Sequence, residues 1–216
     1  MFVPPVYRQR DPRQLADVVR RYPLAALVTN GEPTPYTTHL PVIPESEVDE
    51  PDLVGTTLLG HMNRANPHWS SLGVVTPAKL VFWGPHSYVT PVAYETEPAA
   101  PTWNFVSVHL EGVLRRIEGV ENTLAVVRRT ASLFESSFGA GWDSEGSLDY
   151  FRQIVPGVGA FRLEVSSAQG MFKLSQDKDL ATQRRIAERF ATAETSHARE
   201  LGQSMDELRE PADHDA

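Results

Sequence analysis

The sequence predicts an α+β protein built on an antiparallel β-barrel with peripheral helices. Many short segments of strand character are separated by turn-forming residues, which is typical of a barrel. The helical patterns come mostly late in the chain, and most of the 17 prolines fall between the strand segments. These observations favour a sheet that closes on itself, with long connections and helices outside it.

The first half of the chain is expected to begin with a short amphipathic helix and to continue as strands. Leu15, Val18 and Val19 recur at helical spacing behind Asp11 and Pro12, which suit the cap and the first turn. One or two helical turns are expected within residues 63–72. The full set of elements expected here is a helix over 11–21 and strands over 24–29, 35–43, 56–61, 78–83 and 88–92.

The second half is expected to begin with a long strand over residues 102–117. A helix over 121–138 follows, because Leu124, Val127 and Phe134 share one helical face. The barrel domain is predicted to span residues 1–192, and residues 193–216 are predicted to be a polar tail, partly helical or disordered. The remaining expected elements are helices over 147–154 and 182–190 and strands over 160–166 and 171–174.

Composition excludes several classes of function. The 216 residues carry a net charge of −8, which disfavours strong nucleic-acid binding, since phosphate neutralisation needs a basic face. There is no cysteine, so disulfides, zinc–thiolate sites and thiolate-ligated haem are excluded. No signal peptide and no apolar run of membrane-spanning length is visible, so a soluble, cytoplasmic protein is expected.

The strand over 102–117 carries more polarity than packing requires. Phe105, Ser107 and His109 alternate with apolar residues and so share one face, just after a pair of exposed type, Trp103 and Asn104. An aromatic ring beside hydrogen-bonding groups suits a flat ligand with polar edges, such as a flavin or a haem. The alternative is an ordinary barrel strand whose histidine is satisfied by its neighbours.

A second candidate site surrounds two histidines seven residues apart. His61 is expected to end a strand, next to Gly60, which permits close approach of a ligand. Neutral imidazole in such a place is able to ligate haem iron, whereas the alternative is a hydrogen bond to a loop carbonyl. If the segment were helical instead, His61 and His68 would share one face. Without nearby carboxylates, a non-haem metal site is disfavoured.

A third candidate lies at residues 172–176, FKLSQ. Lys173 within a short apolar strand, followed by Ser175 and Gln176, is able to pair with a carboxylate or phosphate of a ligand. The alternative is a lysine at the end of the barrel whose ammonium extends to water. Residues 83–91, with several aromatic side chains, are read as a loop that is either a ligand rim or a tight turn.

Four segments together resemble the PaiB family, also called FMN-binding negative transcriptional regulators. They are residues 60–69 (GHMNRANPHW), 84–91 (GPHSYVTP), 101–109 (PTWNFVSVH) and 172–176 (FKLSQ), and they occur in the family's order. The resemblance covers about residues 1–189. It implies an FMN-binding split β-barrel related to flavin reductases and pyridoxamine-phosphate oxidases. It also implies a homodimer with the cofactor between the subunits.

Within that family the chain is most similar to haem-dependent piperazate synthases. Asn63, the run 100–105 (APTWNF) and Ser107 carry this similarity. It implies haem b as cofactor and closure of the N–N bond of L-piperazic acid from δ-N-hydroxy-L-ornithine, an amino-acid substrate. His61 is then the axial iron ligand. The implied cofactor-binding residues are His61, Asn63, Arg64, Asn66, Trp103, Asn104, Ser107, Lys173, Ser175 and Gln176.

The catalytic residues are less well defined by the sequence. Lys173 is assigned to an acidic group of haem or substrate, and His109 is the candidate for proton transfer, with His86 eligible by residue type. A flavin-binding oxidoreductase on the same barrel, with FMN, is the alternative function. A transcriptional regulator is disfavoured by the acidic charge and by the lack of a visible helix-turn-helix pattern. A binding role without catalysis remains the simplest alternative.

Overall fold

The computed structural model describes residues 1–46 and 52–209, and the side chain of Arg209 is not described. The chain divides into two compact units. One contains residues 11–82 and 109–168; the other contains residues 1–10, 83–108 and the chain from residue 169. The strands are β1 (Arg8–Gln9), β2 (Leu24–Thr29), β3 (Tyr36–Pro44), β4 (Thr57–Asn63), β5 (Thr76–Val89), β6 (Thr102–Ile117) and β7 (Val158–Lys173). The helices are α1 (Pro12–Arg21), α2 (Pro67–Ser71), α3 (Val120–Phe138), α4 (Leu148–Ile154), α5 (Leu180–Ala191) and α6 (Ser196–Arg209).

The strands form a closed antiparallel barrel. Their order in the sheet is β1-β7-β4-β3-β2-β5-β6, and a further pairing of β6 with β7 closes the six longer strands on themselves. Closure removes the sheet edges that an open antiparallel sheet would expose. The predicted α+β antiparallel split barrel with peripheral helices is confirmed.

Two strands are longer than the sequence predicts. The expected strands 78–83 and 88–92, with a loop between them, are one strand, β5, and Gly84 lies inside it. A Cβ on Gly84 would meet the Val106 Cβ at 3.0 Å, so this glycine permits close approach of backbone rather than a turn. The expected strands 160–166 and 171–174 are likewise one strand, β7. The residues between them continue the strand, and Gly170 and Met171 pair with β1.

Helix α1 begins as the sequence predicts. The Asp11 side chain caps it by accepting a 2.9 Å hydrogen bond from the Arg13 backbone N–H, and Pro12 is its first residue. Leu15, Val18 and Val19 are buried. The expected helical face therefore packs as its spacing indicates.

Helix α3 packs its apolar face on strands of the same unit. Val126 joins a buried cluster with Ile43, Leu59 and Ala160, and Phe134 packs against that cluster. The predicted face through Leu124 and Val127 is therefore corrected: Leu124 is buried, but Val126 takes the buried place expected of Val127, which is only partly buried.

The C-terminal region contains more ordered structure than its composition indicates. Helix α6 buries Ala198, Leu201 and Met205, spaced three and four residues apart as one helical face requires. The last part of the predicted tail, residues 210–216, lies outside the described residues. The domain boundary at residue 193 stays a prediction.

The turn after β4 is held by a buried histidine rather than by a ligand. His68 lies on α2 and His61 on β4, so the two rings do not share a helical face. Nε2 of His68 is 2.9 Å from Thr29 Oγ1, and its Nδ1 is 2.9 Å from Thr38 Oγ1. The Asn66 side chain caps α2 through the His68 N–H, at 3.0 Å. Both ring nitrogens are satisfied, which is the expected state of a buried polar group.

Within residues 1–46 and 52–209, no helix combines the length and apolar character that crossing a membrane requires.

Gly159 is expected to tolerate no side chain. It pairs with Met62, and a Cβ at Gly159 would lie 2.5 Å from the indole ring of Trp69. Gly159→Ala should lower the free energy of unfolding by about 1–3 kcal/mol, because the buried indole has to move. Urea denaturation measures the change. Gly157→Ala is the control, since no atom lies within 4 Å of its added Cβ. Equal losses in both variants would contradict this packing.

His68 is expected to make stability depend on pH. Burial lowers its pKa, so the folded state favours the neutral ring. Below the unfolded value of about 6.5 the unfolded chain binds more protons, so stability present above that pH is lost as the pH falls toward the folded pKa.

His68→Gln tests this expectation by urea denaturation at several pH values. The variant should lose about 1–3 kcal/mol near neutral pH, since a buried threonine hydroxyl loses its partner. It should also show a shallower loss of stability on acidification than the parent protein. An unchanged pH slope would show that His68 titrates alike in the folded and unfolded states.

Candidate functional site

His61 lies on β4 and is paired with β7. Its partner across the ladder is Ala160, whose side chain is a single methyl group. The preceding Gly60 lies on the Phe161 ring, and a Cβ there would be 2.4 Å from Phe161 Cζ. Larger residues at either place would displace the strand or cover the imidazole.

One ring nitrogen of His61 makes no hydrogen bond to the described residues. Its Nδ1 is buried and has no hydrogen-bond partner within the described residues. Burial lowers the pKa of His61, so the ring is neutral at pH 7. A neutral imidazole with an unpaired nitrogen is chemically competent to ligate a metal ion or to accept a proton.

The polar residues that follow His61 support the turn between β4 and α2. Asn63 accepts a 2.8 Å hydrogen bond from the Ala65 N–H, and Arg64 donates from Nε to the Val158 carbonyl at 2.8 Å. Asn66 caps α2 and donates to Thr38 Oγ1 at 3.0 Å. These contacts are internal to the fold. The cofactor-binding roles of Asn63, Arg64 and Asn66 stay predictions.

Strand β6 confirms the apolar face that the sequence predicts, with a correction at its beginning. Val106, Val108 and Leu110 are at most 2% exposed. Asn104, expected to be exposed with Trp103, is instead fully buried, whereas Trp103 is 53% exposed. On the opposite face Phe105 and His109 are half-buried, and Ser107 is buried.

Asn104 is buried because Ser175 satisfies its side chain. Its Nδ2 donates to Ser175 Oγ at 2.9 Å, and Ser175 Oγ lies 3.2 Å from Asn104 Oδ1. Met205 Sδ is 3.9 Å from the same amide nitrogen. Ser175 has a φ of 64°, in the left-handed region that non-glycine residues seldom adopt. Two predicted cofactor-binding residues thus meet, and their contact joins the start of β6 to the chain after β7.

Lys173 has no carboxylate partner within the described part of the chain. Its Nζ hydrogen-bonds to Thr102 Oγ1 and lies 5.9 Å from the centre of the Tyr7 ring. Gln176 supports the same segment: its Oε1 accepts from the Leu174 N–H at 2.7 Å, and its Nε2 donates to the Phe172 carbonyl. The ammonium is positioned but not neutralised, which suits recognition of an anionic group.

His109 resembles His61 in its surroundings. Its Nδ1 is buried without a hydrogen-bond partner among the described residues, and burial lowers its pKa. Lys79 and Glu111 form a 3.0 Å ion pair in the same unit, and their charges act on the His109 pKa in opposite directions. The ring is neutral at pH 7 and is able to accept a proton.

An aromatic cluster is formed by residues that the sequence does not predict to be neighbours. The sequence predicts a loop over residues 83–91, but most of these residues belong to strand β5. His86 stacks on His197 of α6 with ring centres 4.9 Å apart, and its ring centre is 5.7 Å from that of Trp103. Tyr88 meets Trp103 edge to face at 6.4 Å. No sequence signal identifies His197, which lies in the predicted tail.

The predicted site residues are distributed over both units. His61, Asn63, Arg64, Asn66 and His109 belong to one unit. Trp103, Asn104, Ser107, Lys173, Ser175 and Gln176 belong to the other. Within the described residues, no three or more histidine or acidic side chains gather as a metal site would require.

Known relatives cover nearly the whole chain. "Protease synthase and sporulation protein PAI 2" of Bacillus subtilis (strain 168) is 23% identical over 210 residues, which are 96% of this chain and 97% of that protein. This similarity agrees with the PaiB resemblance. An uncharacterised protein of Aspergillus fumigatus is 25% identical and covers 88% of this chain and 90% of its own length.

Solved structures agree on the fold. The FAD and heme binding protein from Mycobacterium smegmatis superposes with a TM-score of 0.55 at 13% identity, over 82% of this chain and 78% of that one. The flavocytochrome Anf3 from Azotobacter vinelandii gives a TM-score of 0.51 at 14% identity, over 77% and 69%. At these identities the likeness shows a common fold.

The family assignment depends on a sequence model. The model described as "Putative FMN-binding domain" matches residues 1–167, which is more than half of the chain and includes β2 to β6 and most of the predicted site. This match shows that the chain belongs to the FMN-binding domain family.

Proposed function

We propose that this protein is a haem-dependent piperazate synthase, which forms the N–N bond of L-piperazic acid from δ-N-hydroxy-L-ornithine. The observation that carries the proposal is His61: a neutral imidazole on β4 with a buried nitrogen that no described residue satisfies. Without an internal hydrogen bond at Nδ1, the neutral ring is not committed to a structural role. Its other nitrogen, Nε2, would ligate the haem iron, because the side chain of His61 is only partly buried.

The proposed reaction needs no external oxidant. The δ-nitrogen of the substrate carries a hydroxyl group, and its N–O bond breaks as the α-amine attacks that nitrogen. The α-amine loses a proton, the hydroxyl leaves as water, and the N–N bond closes a six-membered ring. Two nitrogens held within one bound molecule react far more readily than two free molecules, so positioning is a large part of the task.

Haem, when bound, supplies Lewis-acid chemistry to the hydroxylamine oxygen. The protein's own part is to hold and orient. His61 binds on one side, with Ala160 opposite it and Gly60 keeping the strand close to Phe161. Lys173, which has no acidic partner among the described residues, is suited to the carboxylate of the substrate or of the cofactor.

His109 is the proposed acceptor of the α-amine proton. Burial lowers its pKa, so it is unprotonated at pH 7, and its side chain is only partly buried. A lowered pKa also makes it a weak base, which suits a proton that becomes acidic only as the N–N bond forms. Trp103, exposed beside Tyr88, offers a flat surface of the kind that planar cofactors pack against.

The relatives support a cofactor of this class without distinguishing haem from flavin. The family description names FMN, and the similar structures are described as an FAD and heme binding protein and as a flavocytochrome. Proteins of this fold therefore include binders of either group. The neutral, partly buried imidazole of His61 favours haem, since flavin binding does not require an imidazole ligand.

A flavin-binding protein of PaiB type is the second candidate. It is favoured by the family match over residues 1–167 and by similarity to PAI 2 along almost the entire chain. In that case the barrel would hold FMN and serve as an oxidoreductase or a regulator.

A homodimer is part of the proposal. Trp83, Tyr88 and Trp103 are 56%, 49% and 53% exposed, and all three lie on the adjacent strands β5 and β6. Several large aromatic side chains exposed on neighbouring strands are typical of a surface that another molecule covers.

His61→Ala is expected to abolish haem retention while leaving the barrel folded. The variant replaces the imidazole that would ligate the iron with a methyl group, so the iron would lose its ligand from the protein. Absorbance in the Soret region, at matched protein concentration, measures bound haem, and circular dichroism checks the fold. His39→Ala is the control, because His39 is an exposed histidine on β3. A variant at position 61 that keeps an unchanged Soret band would show that another residue ligates the iron.

Haem-loaded protein is expected to convert δ-N-hydroxy-L-ornithine to a product lighter by one water, without added flavin or nicotinamide. Mass spectrometry detects the loss and NMR identifies the ring with its N–N bond. Ornithine is the matched control and should not react, since its δ-nitrogen carries no leaving group. Absence of product from fully haem-loaded protein, together with tight FMN binding by the same preparation, would replace this proposal with the flavin-binding alternative.

A further inference from the structure

A cleft of roughly 610 Å³ lies beside β4, entirely within the unit that contains His61. Its walls come from the end of β6, the first half of α3, Leu59 of β4, Arg162 of β7 and Glu45. Its volume falls in the range of small-molecule sites, about 300–1,000 Å³. Four of its residues are arginines: Arg115, Arg116, Arg129 and Arg162.

The cleft is basic although the whole chain is acidic. The protein carries a net charge of −8, yet the described residues that line the cleft include four arginines and two carboxylates, Glu45 and Glu118. Glu45 already pairs with Arg162 at 2.9 Å. Glu164, outside the lining, is 3.6 Å from Arg115. Arg129 has no ion-pair partner within the part of the chain that the structure describes, so positive charge remains uncompensated.

Arg116 is held rigidly in the wall of the cleft. Its guanidinium donates to the carbonyls of Trp69 and Leu72 and lies 4.9 Å from the centre of the Trp69 ring. Its Nε is buried and has no partner among the described residues. Backbone carbonyls position this cation but do not cancel its charge. A preorganised cation is what an anion site requires.

The start of α3 adds to the attraction for an anion. Helix α3 is 19 residues long and begins at Val120, and Asn122 from its first turn lines the cleft. The N-terminal end of a helix carries a partial positive charge. This field acts together with the arginine side chains rather than in place of them.

The cleft also adjoins the proposed iron ligand along β4. Leu59 lines the cleft, and His61 follows it by two residues on the same strand. Alternate residues of a strand point to the same face, so Leu59 and His61 share a face, separated by about 7 Å of strand. A flat ligand bound at His61 would thus have its edge within reach of the cleft.

We propose that this arginine cleft binds the acidic groups of the cofactor, with Arg129 as a direct contact. The proposal rests on the proposed function for the identity of the group: the two carboxylates of haem, or the phosphate of FMN if the flavin alternative holds. Both are oxyanions that guanidinium groups recognise by paired hydrogen bonds.

The test is a binding titration with Arg129→Gln, for which Arg128→Gln is the matched control. Arg128 is the next residue of α3, is also exposed, and does not line the cleft, so the control makes the same change in charge. Haem and haem dimethyl ester are titrated by absorbance. FMN and riboflavin are titrated by fluorescence. Arg115→Gln repeats the test at a second cleft position.

Removing one charge-assisted contact should weaken haem binding about tenfold in Arg129→Gln and leave Arg128→Gln close to the parent. The ester should bind the parent and Arg129→Gln equally, since its acid groups are blocked. If FMN is the cofactor, the same loss should appear for FMN and not for riboflavin. The proposal would be overturned if Arg129→Gln and Arg128→Gln weakened binding equally. It would also be overturned if Arg129→Gln weakened binding of the ester or of riboflavin as much as binding of haem or of FMN.

The titration separates this proposal from the proposed function because it uses no substrate. Haem binding that depends on Arg129 without formation of piperazic acid would keep the cleft and reject the synthase. If piperazic acid forms but haem binding is unchanged by substitution of Arg129 and Arg115, the synthase proposal is kept and the cleft proposal is rejected.

Discussion

The candidate site depends on the close pairing of β4 with β7. Gly60 lies on Phe161, and Gly159 lies against the Trp69 ring. Because neither glycine has a side chain, the two aromatic rings occupy the space that Cβ atoms would need. His61 stands between these contacts along the same ladder, so its position is set by packing on both sides and not by a bond of its own.

A second level of organisation fixes the chain that leaves β4. His68 is hydrogen-bonded on both ring nitrogens, and Asn66 joins the start of α2 to Thr38. Two of the seven histidines, His61 and His109, keep a buried nitrogen without a partner in the described residues. The contrast is informative: a structural histidine is saturated, whereas these two retain the capacity to bind or to accept a proton.

Charge is arranged unevenly over an acidic protein. Lys173 is hydrogen-bonded to Thr102 and Arg116 to backbone carbonyls, and neither has a carboxylate partner among the residues that the structure describes. Such cations lose the stabilisation of an ion pair, and an anionic ligand would restore it. Uncompensated cations together with unsatisfied imidazoles are consistent with a barrel adapted to a cofactor that carries acidic groups.

The sequence by itself determined the barrel class, the whole extent of β2 and β6 and the cap of α1, because local periodicity and capping chemistry are short-range properties. It also marked His61, His109 and Lys173 by residue type and strand context. Only the tertiary structure decided that Gly84 continues a strand, that Asn104 is buried against Ser175, and that the arginines of β6, β7 and α3 share one cleft. Those outcomes depend on residues far apart in the chain, and no local pattern encodes which distant groups closure of a barrel brings together.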